Sequence, residues 1–418
     1  MALNIATSHT DGPVTLHFQN RLTRVAGETI RGRVDLNVAL AQEENLEHLR
    51  IKFRGTIRTQ ITTSNGNSTV DHNQTVVLIH TNLPLWSQGI AFPEPGSHIL
   101  SCSFQFLLPE SLPPSFHCWG WHRNATISYS LEVVGERVGF FRMNRRIRRP
   151  LSVIPAASQS QLLAKESLKQ GWNGPWRDYI CQEQKLRQGI WGDYSHARVK
   201  LKMPTMSSFP IATAIPFGLH IETKTKTMHI SDSPVDKHGK PLFPALPALS
   251  SDVKLALHRR TEIRVRNRTR QVEDIFDLKG SLGDVTRVAS VRQVVDEPEW
   301  IPTPGTTDEK GRGIWRRAVH FESEVSIPYA PTCSTETVDW QYDLRFVVPF
   351  PGIGNDLVLD VPIQLDPGSA CPPPPVGTPG SSSITYADIL PAGPPPLLDL
   401  PPSYWAGDHH AWDLDEKN

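Results

Sequence analysis

The stretch Val338-Asp-Trp-Gln-Tyr-Asp-Leu-Arg-Phe346 decides the fold of this chain, because its apolar and polar residues alternate without a break. Successive side chains of a β-strand point to opposite faces of a sheet. The stretch would therefore place Val338, Trp340, Tyr342, Leu344 and Phe346 on one face and the intervening polar residues on the other. This pattern predicts a half-buried strand with one face against a core and the other face in water.

The same alternation recurs along most of the chain. The further runs, given by their apolar positions, are Val14, Leu16 and Phe18; Val34, Leu36 and Val38; Leu49, Ile51 and Phe53; Ile127, Tyr129, Leu131 and Val133; Val199, Leu201 and Met203; Val253, Leu255 and Leu257; and Leu357, Leu359, Val361, Ile363 and Leu365. No long amphipathic helical pattern competes with these runs. The sequence predicts an all-β fold built from antiparallel sheets.

Length and charge restrict the classes of partner. The chain has 418 residues, which favours two large domains. Lys and Arg together number 43, as do Asp and Glu, so no overall charge favours nucleic acid and we predict no nucleic-acid partner. The sequence shows no N-terminal basic segment followed by an apolar run and no apolar stretch of about 18 residues. These features predict a cytoplasmic protein.

Motifs for catalysis and metal binding are missing from the sequence. The five cysteines are far apart and form no C-x-x-C pair, which argues against both a disulfide framework and a zinc site. The stretch Cys118-Trp-Gly-Trp-His122 and the pair His409-His410 lack further ligands at useful spacing. There is no G-x-S-x-G, no H-E-x-x-H and no Gly-rich phosphate loop. We predict no catalytic residues, no metal and no cofactor, and therefore no enzyme.

Breaks in the alternation predict the domain boundaries. Residues 1–157 form a first domain, 158–195 a linker with a short helix near its start, 196–366 a second domain, and 367–418 a tail. The segments 229–251 and 296–313 read as long surface loops of the second domain. The tail contains Cys371-Pro-Pro-Pro-Pro and Pro394-Pro-Pro with few side chains to bury, and it should be disordered.

Several stretches resemble one family. The first half contains Ser103-Phe-Gln-Phe-Leu-Leu-Pro-Glu-Ser-Leu-Pro-Pro-Ser-Phe116, Ile127-Ser-Tyr-Ser-Leu-Glu-Val133 and Arg145-Arg-Ile-Arg-Arg-Pro-Leu-Ser-Val153; the second contains Val325-Ser-Ile-Pro328, Trp340-Gln-Tyr-Asp-Leu-Arg-Phe346 and Leu357-Val-Leu-Asp-Val-Pro-Ile-Gln-Leu365. They resemble arrestin-like proteins, in particular the fungal arrestin-related trafficking adaptors and the animal arrestin-domain-containing proteins, the alpha-arrestins. The resemblance implies two tandem immunoglobulin-like (arrestin) β-sandwich domains. The buried charged cluster that locks visual arrestins has no match in the sequence.

A short motif lies in the predicted tail. Pro401-Pro402-Ser403-Tyr404 is a P-P-x-Y sequence of the kind that WW domains bind. Adjacent prolines already hold the polyproline conformation, so an aromatic groove can bind them at a small ordering cost, while Tyr404 fills a second pocket. The alternative is a plain Pro-rich spacer. The resemblance implies that Pro401, Pro402 and Tyr404 recruit a WW-domain HECT ubiquitin ligase to a plasma-membrane transporter or receptor for ubiquitination and endocytosis.

Three further candidate features accompany this motif. Leu397, Leu398 and Leu400 resemble a clathrin box, although Pro401 replaces its closing acidic residue, and leucine clusters are common. Lys165 and Lys169 on the predicted linker helix are candidate ubiquitin acceptors, as the resemblance suggests. Trp119 and Trp121 are expected to pack against or cap a loop.

Two arginine clusters are candidates for contact with phosphate or lipid, since the arginine fork suits phosphate groups. The first consists of Arg142, Arg145, Arg146, Arg148 and Arg149. The second consists of Arg264, Arg266, Arg268 and Arg270, which a single strand would project from one face towards anionic lipid. The alternatives are a strand edge protected by charge for the first cluster and a solvated face for the second.

Two other functions stay open on the sequence. One is an arrestin-like signalling scaffold, for example of the ambient-pH-sensing type, that is itself ubiquitinated. The other is a β-sandwich hydrolytic enzyme with an incidental Pro-rich tail. For the adaptor we expect a cytoplasmic location with recruitment to the plasma membrane and endosomes.

Overall fold

The computed structural model describes residues 7–18, 23–66, 68–138, 143–180, 183–189, 192, 194–236, 238–278, 282, 291–303 and 311–372. Within these ranges the first half contains β1 (Thr7–Asp11), β2 (Val14–Phe18), β3 (Thr23–Val25), β4 (Thr29–Asn37), α1 (Val38–Glu43), β5 (Leu46–Asn65), β6 (Ser68–Ser87), β7 (Ile99–Leu107), β8 (Phe116–Gly120), β9 (Arg123–Arg137), β10 (Arg145–Ile154) and α2 (Gln159–Lys169).

The second half continues with β11 (Trp176–Ile180), β12 (Gln184–Arg187), β13 (Tyr194–Pro204), β14 (Phe209–Pro210), β15 (Ile215–Lys224), β16 (Met228–His229), a 3₁₀ turn (Ser250–Asp252), β17 (Lys254–Val265), β18 (Arg268–Asp277), β19 (Arg292–Val295), β20 (Glu299–Pro302), β21 (Arg312–Val325), β22 (Cys333–Ser334), β23 (Val338–Val348), β24 (Leu357–Ile363) and β25 (Leu365–Asp366).

Two sheets form the first half. One has the order β1-β2-β4-β7, and the other has the order β3-β10-β9-β5-β6 with β8 paired to β9. Phe53 on β5 and Phe106 on β7 bring the two sheets together, with ring centroids 6.1 Å apart. Both rings are buried, as the alternation around Phe53 predicts. The arrangement is a β-sandwich with its core between the two sheets.

A long hairpin extends the larger sheet. Strands β5 and β6 each span 20 residues and pair from His48 with Ser87 to Asn65 with Ser68, with register shifts near Arg50 and Thr56. Most of β6 is exposed or half-buried, because it forms an edge of the sheet. An edge strand that is wet on both faces has no period-two pattern, so the sequence did not predict β6.

The second half repeats the two-layer plan. One sheet has the order β11-β13-β15-β21-β16 with β12, β19 and β20 attached, and the facing sheet has the order β18-β17-β23-β22 with β24 paired to β23. The short parallel pair β14-β25 joins the segment after β13 to the last strand of this half. Phe217 on β15 meets Phe346 on β23 edge to face, with ring centroids 5.6 Å apart. The prediction of an all-β fold with two sandwiches is confirmed.

The connector differs from the expected linker. Helix α2 forms as predicted, and Ser158 and Gln161 close a capping box at its start. Strands β11 and β12, however, lie inside the segment 158–195 and pair with β13, so the second sandwich already begins at Trp176. These edge strands are largely exposed and carry no apolar alternation, which is why the sequence assigned them to a linker.

Two other local predictions are wrong, one at Val38 and one in the segment 296–313. Val38 was predicted to lie in a strand, but β4 ends at Asn37 and α1 begins at Val38, because the Asn37 side chain accepts a hydrogen bond from the Leu40 amide at 3.2 Å. The predicted loop 296–313 contains β20, which pairs with β21.

Helices long and apolar enough to cross a membrane do not occur within the described ranges.

Candidate functional site

A buried aromatic stack joins the two sandwiches. Phe116 on β8 of the first sandwich lies parallel to Trp340 on β23 of the second, with ring centroids 3.9 Å apart and an interplanar angle of 11°. Both side chains are fully buried. The Trp340 indole donates a hydrogen bond to the Pro331 carbonyl at 2.9 Å, so its one polar atom is satisfied. The stack therefore fixes one sandwich against the other.

An arginine covers this stack. The guanidinium of Arg259 on β17 lies 4.8 Å from the ring centroid of Phe116 and 5.0 Å from that of Phe276. Its Nε and Nη2 atoms donate to Oδ2 of Asp274 at 3.1 and 2.7 Å. The charge is thus both paired and placed over aromatic faces, which a buried guanidinium requires.

Polar contacts extend the same junction. The Thr59 hydroxyl donates to the Arg264 carbonyl at 3.3 Å, and the Arg266 amide donates to Oε1 of Gln74 at 2.8 Å. Burial raises the pKa of the nearby Cys118 thiol to about 12, so this cysteine is a neutral packing residue at physiological pH. Hydrogen bonds and aromatic contacts together make the junction a specific interface between the two sandwiches.

The first arginine cluster is largely neutralised. Arg145 donates to both carboxylate oxygens of Glu44 at 2.8 Å and to Asp11 at 3.1 Å. Arg146 and Arg148 both approach Glu132, at 3.5 and 3.9 Å. Arg149 contacts the His9 ring, and burial lowers its pKa. A cavity of about 420 Å³ lies between His9, Glu132 and these arginines, so an anion there would have to compete with bound carboxylates. Arg142 lies outside the described residues.

The second arginine cluster does not lie on one strand. Strand β17 ends at Val265, Arg266 and Asn267 form a turn, and β18 begins at Arg268. Arg266 adopts the left-handed conformation that such a turn requires, with φ of 54°. The prediction that one strand projects all four guanidinium groups from one face is therefore wrong. Arg264 lies opposite Thr269 in the register of the hairpin. Arg268 and Arg270 lie opposite Val265 and Ile263, so they are on the other face of the hairpin from Arg264.

The two linker lysines differ in accessibility. Nζ of Lys165 donates to the Gly368 carbonyl at 2.6 Å, and burial together with Lys169 lowers its pKa. Lys169 is exposed at the end of α2, and its ion-pair partner among the described residues is the exposed Glu166 at 3.6 Å. Of the pair, Lys169 is the side chain that an enzyme can reach.

The larger of two described cavities lies beside α2 and the last strands, with a volume of about 880 Å³. Two of its carboxylates are held by other side chains, since Arg260 binds Asp343 at 2.8 Å and the Ser208 hydroxyl donates to Asp366 at 2.9 Å. Within the part of the chain that the structure covers, no three side chains of His, Cys, Asp or Glu converge as metal ligands.

Some predicted site residues fall beyond these ranges. Pro401, Pro402, Tyr404, Leu397, Leu398 and Leu400 lie outside the described residues. Sequence reasoning also missed residues that the structure brings together at the junction. Phe116 appeared only at the end of a stretch that resembles arrestins. Arg259 lay just beyond the predicted strand that ends at Leu257, and nothing in the sequence indicated its partner Asp274, fifteen residues away on the next strand.

One protein family is similar to the first sandwich. Residues 15–159 match the family model described as Arrestin (or S-antigen), N-terminal domain. This span runs from β2 to the start of α2 and so covers most of the first sandwich. No curated protein matches the chain. Residues 15–159 are therefore similar to an arrestin N-terminal domain, and the match supports an arrestin-like adaptor or scaffold in general.

Proposed function

We propose that this chain is an alpha-arrestin adaptor that links a plasma-membrane transporter or receptor to a WW-domain HECT ubiquitin ligase, so that the cargo is ubiquitinated and internalised. Two observations support the proposal. Residues 15–159 match the model of an arrestin N-terminal domain, and a P-P-x-Y sequence follows the sandwiches at Pro401, Pro402 and Tyr404. In this account the chain works in the cytoplasm and is recruited to the plasma membrane and endosomes.

The P-P-x-Y motif carries the proposal, because it is the feature that names a class of partner. The chain between Pro372, the last described residue, and Pro401 can extend to at most about 100 Å. A ligase bound at the motif would therefore share a confined volume with cargo bound to the sandwiches. Such tethering raises the effective concentration of the two partners without new chemistry.

The expected result of a pulldown is capture of a WW-containing HECT ligase by the full chain and its loss on Tyr404→Ala. The alanine removes the ring that fills the second WW pocket while leaving both prolines in place. Recovery of the ligase from lysate, quantified against the amount of bait, measures the effect. The matched control is Tyr386→Ala, which removes the neighbouring tail tyrosine outside the motif and should leave capture unchanged. Equal recovery of the ligase with wild type and with Tyr404→Ala would contradict the proposal that the motif recruits it.

One alternative is favoured by a specific observation. The exposed Lys169 is available for modification of the chain itself, as a signalling scaffold of the pH-sensing type would require. This alternative predicts that ubiquitin is found on the chain itself and not on the cargo, and that Lys169→Arg removes it. That result would favour the signalling scaffold over the adaptor. The hydrolytic enzyme is less well supported, since the arrestin match favours an adaptor. The clathrin box and the arginine contacts with phosphate or lipid stay proposals.

A further inference from the structure

Two histidines face each other on the outer surface of the second sandwich. His220 on β15 and His320 on β21 lie directly opposite in the antiparallel register, while Leu219 and Ile221 beside His220 are buried in the core. The Nδ1 atoms of the two rings lie 3.1 Å apart, and the ring centroids lie 4.3 Å apart. The side chains of His220 and His320 are 23 % and 43 % exposed, so both rings can be reached from solvent.

A carboxylate lies behind each ring. Oδ2 of Asp296 lies 3.1 Å from Nε2 of His320, and Oε2 of Glu222 lies 3.9 Å from Nε2 of His220. The Asp296 carboxylate accepts the Nε2–H of His320, so the Nδ1 atom of the neutral ring carries a free lone pair. Histidines that bind metal ions commonly donate their other ring nitrogen to a carboxylate in this way.

The protein holds these groups in place. The Asp296 amide donates to the Ala318 carbonyl of β21 at 3.0 Å, and Nη2 of Arg316 lies 2.7 Å from Oε2 of Glu222. Strands β15 and β21 pair over ten consecutive residues, which fixes the backbone beneath both rings. Ligands that are already ordered bind at a lower entropy cost.

The separation of the two Nδ1 atoms fits a shared metal ion. Two Zn–N bonds of about 2.0–2.1 Å at the tetrahedral angle place their nitrogens about 3.4 Å apart. The right angle of a square-planar Cu²⁺ site places them about 2.9 Å apart with bonds of the same length. The 3.1 Å between His220 and His320 lies between these two values. Burial and the neighbouring His320 also lower the pKa of His220, which favours the neutral imidazole that metal binding requires.

The histidines that the sequence analysis considered are placed differently. His122 meets the ring of Trp121 edge to face, with ring centroids 5.0 Å apart. Trp119 and Trp121 are 70 % and 83 % exposed, so the expectation that they pack against or cap a loop is wrong. His409 and His410 lie outside the described residues. The pair on β15 and β21 is separated by 100 positions, so no spacing pattern in the sequence could indicate it.

We propose that His220 and His320 form a two-histidine binding site for a late first-row divalent metal ion, with Zn²⁺ and Cu²⁺ the best suited. Imidazole nitrogen is a ligand that both ions accept. The two Nδ1 atoms bind the ion, Asp296 acts as a positioning residue, and water fills the remaining coordination positions. A bound ion cross-links β15 and β21 at the surface of the second sandwich.

Electron paramagnetic resonance of Cu²⁺ counts the nitrogen ligands directly. The full chain with H409Q/H410Q, which removes the tail histidine pair, should show two imidazole nitrogens at one equivalent of Cu²⁺. Adding either H220Q or H320Q should leave one nitrogen.

Calorimetric titration with Zn²⁺ measures the affinity of the same proteins. H220Q and H320Q should each weaken Zn²⁺ binding by more than about tenfold, because the second nitrogen no longer binds intramolecularly. D296N should weaken it by about 10- to 100-fold and keep two nitrogens in the Cu²⁺ spectrum, as expected of a positioning residue.

His196 provides a matched control on the same sheet. Its Nδ1 atom lies 3.3 Å from Oε1 of Glu183, and its side chain is 37 % exposed, so it resembles His320 in exposure and in its carboxylate partner. The residues opposite His196 on the neighbouring strands are Lys185 and Lys224, which leave it without a facing imidazole. H196Q should therefore leave the Zn²⁺ affinity and the Cu²⁺ spectrum unchanged. Thermal unfolding without metal confirms that each variant is folded.

Three outcomes would overturn the proposal. They are equal Zn²⁺ affinity in wild type and H220Q/H320Q, a Cu²⁺ spectrum with fewer than two imidazole nitrogens in the chain that keeps both histidines, and a loss with H196Q as large as that with H220Q. The first two would assign the pair to a hydrogen bond between the two rings. Ligase capture through Tyr404 is a separate measurement, so neither result decides the other.

Discussion

Replacing Trp340 with alanine should lower the free energy of unfolding by about 3–5 kcal/mol. The indole is fully buried, stacks on Phe116 of the other sandwich and donates to the Pro331 carbonyl. Alanine would leave a cavity at the junction, and the Pro331 carbonyl would lose its indole donor. Urea unfolding measures the change.

The control for Trp340 is Trp119→Ala, which removes the same side chain type from a 70 % exposed position. It should change the free energy of unfolding by less than about 0.5 kcal/mol. Trp340→Phe should give an intermediate value, because it keeps an aromatic ring against Phe116 but loses the hydrogen bond. A loss below about 1 kcal/mol for Trp340→Ala would contradict the proposed role of the stack.

Replacing Arg259 with alanine should cost about 3 kcal/mol of stability, the lower end of the range for breaking a buried ion pair. The lower end applies because the Asp274 side chain is 23 % exposed, so water can partly solvate its carboxylate once Arg259 is removed. The rings of Phe116 and Phe276 also lose the cation above their faces. Urea unfolding measures the loss, and faster proteolysis between the two sandwiches should accompany it.

A matched arginine on the same sheet separates burial from charge. Arg345 on β23 binds Asp360 through two hydrogen bonds of 2.7 and 3.0 Å, a closely similar ion pair at an exposed site. Arg345→Ala should cost less than about 1 kcal/mol, because exposed ion pairs contribute little. Equal losses of stability for Arg259→Ala and Arg345→Ala would show that burial does not determine the contribution of Arg259 to the free energy of unfolding.

Strict alternation made much of the fold predictable. The run from Val338 to Phe346 forms β23 with its apolar residues buried, because a strand between a core and water imposes a period of two. The sequence did not predict three strands, β6, β11 and β12. They are largely exposed and bury no regular face.

The junction was less predictable than the strands. Phe116 meets Trp340 across 224 positions of sequence only because two sandwiches dock, and no local pattern encodes that contact. The arginine turn is a similar case, since alternating arginines resemble one strand until Arg266 reverses the chain. Pro401, Pro402 and Tyr404 remain a prediction from sequence, because a linear motif is recognised by its residue types and not by packing.

The most direct test of the adaptor account compares cells that express wild type or Tyr404→Ala, with Tyr386→Ala as the control. Surface proteins are labelled, and the abundance and ubiquitination of each transporter and receptor are quantified. The account predicts that at least one of them accumulates at the surface and loses ubiquitin in Tyr404→Ala cells alone. An unchanged surface proteome and unchanged ubiquitination, in cells where Tyr404→Ala has lost the ligase, would contradict it.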